Sequence, residues 1–145
     1  MWRLTPSPDA LRRVLAVYLR EQPQEIELTR GKHGKPRLAA DSARLEFNLS
    51  HSGDLALVAV SGTLEVGIDV ERMRPRREEA FYWRWACREA RLKCLGIGLL
   101  RAREEPPEEP VAIRPLAVAR GYAAAVAARS AELPPLLGWT FADGR

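Results

Sequence analysis

Two carboxylates stand one residue apart in Gly67-Ile68-Asp69-Val70-Glu71. A third acid precedes a lysine by four residues in Glu89-Ala90-Arg91-Leu92-Lys93. Acidic oxygens suit a hard divalent cation, which takes oxygen ligands and keeps several waters. A lysine among them adds a point charge for a phosphate. In a strand, alternate residues share a face, so Asp69 and Glu71 project together while Val66, Ile68 and Val70 turn to a core. On a helix, residues four apart share a side, which puts Glu89 beside Lys93. Taken singly, the strand acids are most simply a solvated edge, and Glu89 with Lys93 a surface ion pair worth a few tenths of a kcal/mol. The chemistry requires all four to meet.

The surrounding pattern supplies the elements to do that. Ser7 and Pro8 read as cap and first residue of a helix. Leu11, Val14, Leu15, Tyr18 and Leu19 then recur at helical spacing, with Pro23 expected to end it. Residues 25–29 alternate as a short strand, and residues 30–36 form a loop by their glycines and proline. Residues 45–49 alternate again as a strand, residues 50–54 read as a polar turn, and residues 55–60 as a buried strand. Ser61-Gly62-Thr63 reverses the chain into the strand of residues 64–71. Residues 78–95 form the strongest helix, its apolar arc drawn through Phe81, Trp85, Leu92 and Leu95, with the stem of Arg88 buried in that arc and Gly96 as its stop. An acidic, proline-rich loop follows at 104–110. Residues 122–127 close as a strand, although their alanines also permit a helix, and residues 139–141 form a last strand.

The chain has 145 residues, enough for one ordinary domain or two small fused halves. Its apolar share of 46% and charged share of 29% are those of a globular protein. The longest apolar run, residues 55–60, is far too short to span a bilayer, and the N-terminus shows no secretory signal. Cys87 and Cys94 read as free thiols in a reducing compartment, so a cytoplasmic location is expected. A net charge of +4 suits an anionic partner such as a nucleotide cofactor, an acidic protein or a nucleic acid.

Four pieces in this order resemble the 4′-phosphopantetheinyl transferase superfamily, in particular its two-lobed, Sfp-like branch. They are Gly34-Lys35-Pro36, Phe47-Asn48-Leu49-Ser50-His51-Ser52, Gly67-Ile68-Asp69-Val70-Glu71 and the stretch from Trp85 to Lys93. They cover about the middle half of the chain. A Gly-Lys-Pro alone is weak; the ordered set is specific. The resemblance implies an α+β fold of two similar lobes, each a helix packed on a small antiparallel sheet, with residues 1–62 as the first lobe and 63–145 as the second. It implies transfer of the phosphopantetheine arm of coenzyme A, with Mg2+, to a serine of an apo acyl or peptidyl carrier protein of fatty acid or secondary metabolite biosynthesis. No nucleic acid and no membrane is implied as partner.

Carried over by motif, Asp69, Glu71 and Glu89 are the metal ligands, and Glu89 and Lys93 the catalytic pair. Lys35, Ser50, His51 and Lys93 line the coenzyme A site. Glu89, or a water held by the metal, would take the serine proton. The sequence departs from the family in three places. Arg88 stands where a lysine is usual. The stretch before Gly34 is short, without the usual early strands. The connection from Glu71 to Trp85 is also short. Two other readings stay open: a relative that binds coenzyme A or a carrier protein without turnover, and a basic nucleic-acid-binding module.

Overall fold

The computed structural model describes residues 1–4, 9–31, 35–39, 45–97 and 109–140, with the side chains of residues 2–4 and 139 left aside. The expected cap at Ser7 and Pro8, the Gly34 of the loop, most of the 104–110 loop and Phe141 lie outside the described residues. In chain order the elements are β1 (Trp2–Leu4), α1 (Ala10–Leu19), a 3-10 turn (Pro23–Glu25), β2 (Leu28–Arg30), β3 (Pro36–Leu38), β4 (Glu46–Ser52), β5 (Leu55–Ser61), β6 (Val66–Arg72), α2 (Glu79–Cys94), β7 (Ala112–Leu116), β8 (Tyr122–Ala128) and β9 (Trp139–Thr140).

The fold is α+β, with helices on small, mostly antiparallel sheets. A first sheet runs β4-β5-β1-β9, a second runs β6-β8-β7, and β2 and β3 form a separate hairpin. Residues 1–62 supply β1, α1 and β2 to β5. Later residues supply the second sheet and α2, together with β9, which returns to pair in parallel with β1.

Alternation decides which side chains are buried where. In β5, Leu55, Leu57 and Ala59 pack against Val66, Ile68 and Val70 of β6 and Ala124, Val126 and Ala128 of β8. The inner faces of the two sheets therefore share one core. On the outer face of the first sheet, Phe47, Ala56 and Val58 meet Leu11, Val14 and Leu15 of α1. On the outer face of the second, Ala125 and Ala127 meet Ala86, Ala90 and Cys94 of α2.

That last contact is unusually close. A Cβ on Gly67 of β6 would lie 2.0 Å from the Ala90 carbonyl oxygen and 2.5 Å from the Cys94 nitrogen. Only glycine permits this approach. The small residues of α2 follow from it, and they correct the arc expected from the sequence. Phe81, Trp85 and Leu95 are half-buried, whereas the helix turns Ala86, Glu89, Ala90 and Cys94 inward. Arg88 is exposed, its guanidinium 5.7 Å above the Trp85 ring.

Two other expectations change. α1 ends at Leu19, not at Pro23, because Arg20 adopts φ +58° and its N–H closes the last turn on the Ala16 carbonyl. Pro23 instead opens the 3-10 turn. Ser50, His51 and Ser52 belong to β4, so the turn shrinks to Gly53-Asp54. The alanine-rich segment is a central strand, and Gly96, at φ +67°, ends α2 as expected. There the Ile97 and Gly96 N–H groups reach back to the carbonyls of Leu92 and Lys93.

Candidate active site

β6 lies at the edge of its sheet, with Ile68, Val70 and Arg72 sending their N–H groups away from β8. Side chains of β4 accept all three. Asn48 Oδ1 takes the Ile68 N–H at 2.8 Å, Ser50 Oγ the Val70 N–H at 3.2 Å and Ser52 Oγ the Arg72 N–H at 3.0 Å. This polar seam joins the two sheets where β4 meets β6, and it brings Ser50 to the carboxylate strand.

Asp69 is 4% exposed and Glu89 6% exposed. Lys93 donates to Asp69 Oδ1 at 2.6 Å, to Ser50 Oγ at 3.1 Å and to the Ile68 carbonyl at 3.2 Å. Ser50 Oγ donates to the same Asp69 oxygen at 3.1 Å. Lys93 therefore pairs across to the strand, and not with Glu89 four residues before it. Asp69 Oδ2 and Glu89 Oε1 are buried without a hydrogen-bond partner. Glu89 Oε1 forms a loose ion pair with the Arg88 guanidinium, 3.8 Å away.

The three acids act on one another. Burial pushes the Asp69 carboxyl above its ordinary value, against the pull of Lys93. Burial, and then the charge of Asp69, raise Glu89. The same two causes raise Glu71, while a hydrogen bond from the Trp85 indole lowers it. Negative charge is thus crowded at the β6–α2 junction, and the orphaned oxygens are hard donors. Among the described residues no group of three or more acidic, histidine or cysteine side chains is drawn together closely enough to hold a metal ion unaided. An open set of this kind fits Mg2+, which is commonly bound by one or two carboxylates with waters and substrate phosphates completing its shell.

The remaining expected residues lie apart from this cluster. Lys35 precedes β3 and sits among Glu46, Glu65 and Cys94; burial lowers its ammonium, with Glu46 opposing. His51 is exposed and follows Ser50 in β4, so the two side chains leave the strand on opposite faces. Sequence reasoning had not singled out Asn48 and Ser52 as edge acceptors or Trp85 as the donor to Glu71. The Asn-x-Ser-x-Ser spacing on a strand was the available signal for the first two. An apolar cavity of about 480 Å3, lined by Tyr18, Leu64, Val126 and Leu137 among others, opens on the inner face of β8, away from the acids. No helix among the described residues is long and apolar enough to cross a membrane.

Residues 10–63 match the family described as 4′-phosphopantetheinyl transferase, N-terminal. The chain is 33% identical to the 4′-phosphopantetheinyl transferase HetI of Nostoc sp., over 70% of its own length and 55% of that protein. It is 32% identical to a putative 4′-phosphopantetheinyl transferase of Synechocystis sp., covering 62% of the chain and 48% of the relative. With the 4′-phosphopantetheinyl transferase AcpT of Escherichia coli it shares 46% identity over 41% of the chain and 28% of the relative. The chain belongs to the 4′-phosphopantetheinyl transferase superfamily. It spans about half the length, or less, of the curated relatives it matches. The Nostoc match runs over 131 aligned positions yet takes up 70% of a 145-residue chain, so the relative carries residues there that this chain lacks.

Proposed function

We propose that this chain transfers the 4′-phosphopantetheine arm of coenzyme A to a serine of an apo acyl or peptidyl carrier protein, with Mg2+. One observation carries the reading: Asp69 Oδ2 and Glu89 Oε1 are buried beside Glu71 without a hydrogen-bond partner, with Lys93 fixed 2.6 Å from Asp69. Asp69, Glu71 and Glu89 would hold the cation, which would neutralise the pyrophosphate oxygens of coenzyme A. Lys93 adds fixed positive charge where the leaving phosphate gathers negative charge. Glu89 is the proposed proton acceptor, because burial and Asp69 raise its basicity. The serine oxygen bonds to phosphorus, its proton passes to Glu89, and the bond to adenosine 3′,5′-bisphosphate breaks. Lys35 and His51, outside the cluster, are assigned to the nucleotide end of coenzyme A.

Incubation with coenzyme A, Mg2+ and apo carrier proteins adds the mass of the arm to the carrier. Asp69→Asn and Glu89→Gln each lower transfer by at least about 100-fold, the scale on which removing a catalytic group acts, and leave far-UV circular dichroism unchanged. Chelation of Mg2+ stops the wild type. Wild-type activity in both variants refutes the site.

The shared half-length favours one second reading, a relative that binds coenzyme A or a carrier protein without turnover. Coenzyme A binding that strengthens with Mg2+, in the absence of any mass shift on several carriers, selects it.

A further inference from the structure

The Ser50 hydroxyl has no hydrogen-bonding position left for a ligand. A hydroxyl donates one bond and accepts two. Ser50 Oγ donates to Asp69 Oδ1 at 3.1 Å and accepts from the Val70 N–H at 3.2 Å and from Lys93 Nζ at 3.1 Å. The residue is 7% exposed. Lys93 is equally committed, its three ammonium hydrogens matched by Ser50, Asp69 and the Ile68 carbonyl. Asn48 and Ser52, two residues to either side, accept from β6 backbone in the same manner, but their bonds go to the Ile68 and Arg72 N–H groups. Of the three acceptors along the seam, Ser50 is the one bonded to both members of the charged pair.

We infer that Ser50 is a positioning residue, acting through Asp69 and Lys93, and not a contact of coenzyme A as its motif position had implied. Its hydroxyl and the Lys93 ammonium both engage Oδ1 of Asp69. That fixes the carboxyl plane and leaves Oδ2, the unpartnered oxygen, in a constant place. Tying the same hydroxyl to the Val70 N–H sets this pair against the backbone of β6. A group that orients a ligating carboxylate in this way commonly changes metal affinity or activity by 10–100-fold when removed. The inference shares the cation reading given above, but its hold on Lys93 does not depend on that reading.

The test compares Ser50→Ala, Ser50→Thr and Ser52→Ala with the wild type, using two probes. The first is Mn2+ alone, titrated by calorimetry. Ser50→Ala is expected to weaken binding by about 10–100-fold, while Ser50→Thr, which keeps the hydroxyl, and Ser52→Ala stay near the wild type. The second is an amine-acetylating reagent, followed by mass spectrometry, with no metal or coenzyme present. Ser50→Ala is expected to speed labelling of Lys93 severalfold relative to Lys35, and Ser52→Ala to leave it unchanged. Coenzyme A affinity measured without metal is expected to be the same in Ser50→Ala and the wild type. Ser50→Cys, close in volume and a weak donor, takes the place of Ser50→Ala should the latter fail to fold.

Equal effects from Ser50→Ala and Ser52→Ala overturn the inference, because they reduce Ser50 to one more link between the sheets. Unchanged Lys93 labelling together with weakened metal-free coenzyme A binding overturns it in favour of a coenzyme contact. A wild type that binds no Mn2+ defeats the cation reading instead, and Lys93 labelling still decides whether Ser50 positions the lysine.

Discussion

The two helices cover their sheets in opposite ways. α1 reaches its sheet through Leu11, Val14 and Leu15, which fill the space above Phe47, Ala56 and Val58. α2 lies with its backbone close along β6 and β8 and fills little space, since Gly67, Ala86, Ala90, Cys94, Ala125 and Ala127 meet between them. Large side chains make a stable lid, and small ones make a short distance. Only the second arrangement lets a lysine on a helix reach an aspartate on a strand at 2.6 Å, with a glutamate from the same helix alongside. The meeting of Asp69, Glu89 and Lys93 is a by-product of small residues at the contact.

The comparison breaks first at Gly67. Any Cβ there meets main-chain atoms at 2.0 and 2.5 Å, and neither can yield without moving the helix. Gly67→Val is expected to cost more than the roughly 1–3 kcal/mol of ordinary overpacking and to leave no folded protein in urea titrations. At α1 the danger is the reverse. Leu15 is fully buried, and Leu15→Ala opens a cavity costing about 2–5 kcal/mol. That loss reads out as a lower urea midpoint, while Lys93 keeps its wild-type acetylation rate because α2 has not moved. An unchanged midpoint would refute the view that α1 is held by side-chain bulk.

The smallest effect is confined to alkaline pH. Burial pushes the Cys94 thiol up to about 11 from an ordinary 9.0. The folded state thus binds this proton more tightly than the unfolded chain does. Stability from it is complete below pH 9 and is lost as pH rises toward 11. Lys35 acts with the opposite sign, since burial of its ammonium is relieved on deprotonation. Cys94→Ala is expected to flatten the fall in urea midpoint over that window and to leave the slope near pH 7 alone. An unaltered alkaline slope would show that the thiol is not the group involved.

Much of this was legible in the residues themselves. Period-two runs located β4 and β6, a continuous apolar run located β5, and 3.6-residue periodicity located both helices. The pairing of Asp69 with Lys93 was not legible, because their spacings gave each a nearer companion, Glu71 and Glu89. Depth was lost for a similar reason. Counting apolar side chains on α2 favoured Phe81 and Trp85, whereas closeness to the sheet selects for the absence of bulk. Ser50, His51 and Ser52 looked like a turn because they are polar, and they became a strand because β6 needed acceptors along an open edge. β7 escaped notice because Pro115 interrupts it, which the outermost strand of a sheet tolerates. β1 and β9 have only three and two residues, too few for any period to show.

The parallel pairing of β1 with β9 sets an order of events during synthesis. On the ribosome, the sheet begun by the first few residues stays unfinished until Trp139 and Thr140 emerge. β4, β5 and β1 can pair before then, but a nascent chain arrested after α2 would display the bare margin of β1 to its neighbours.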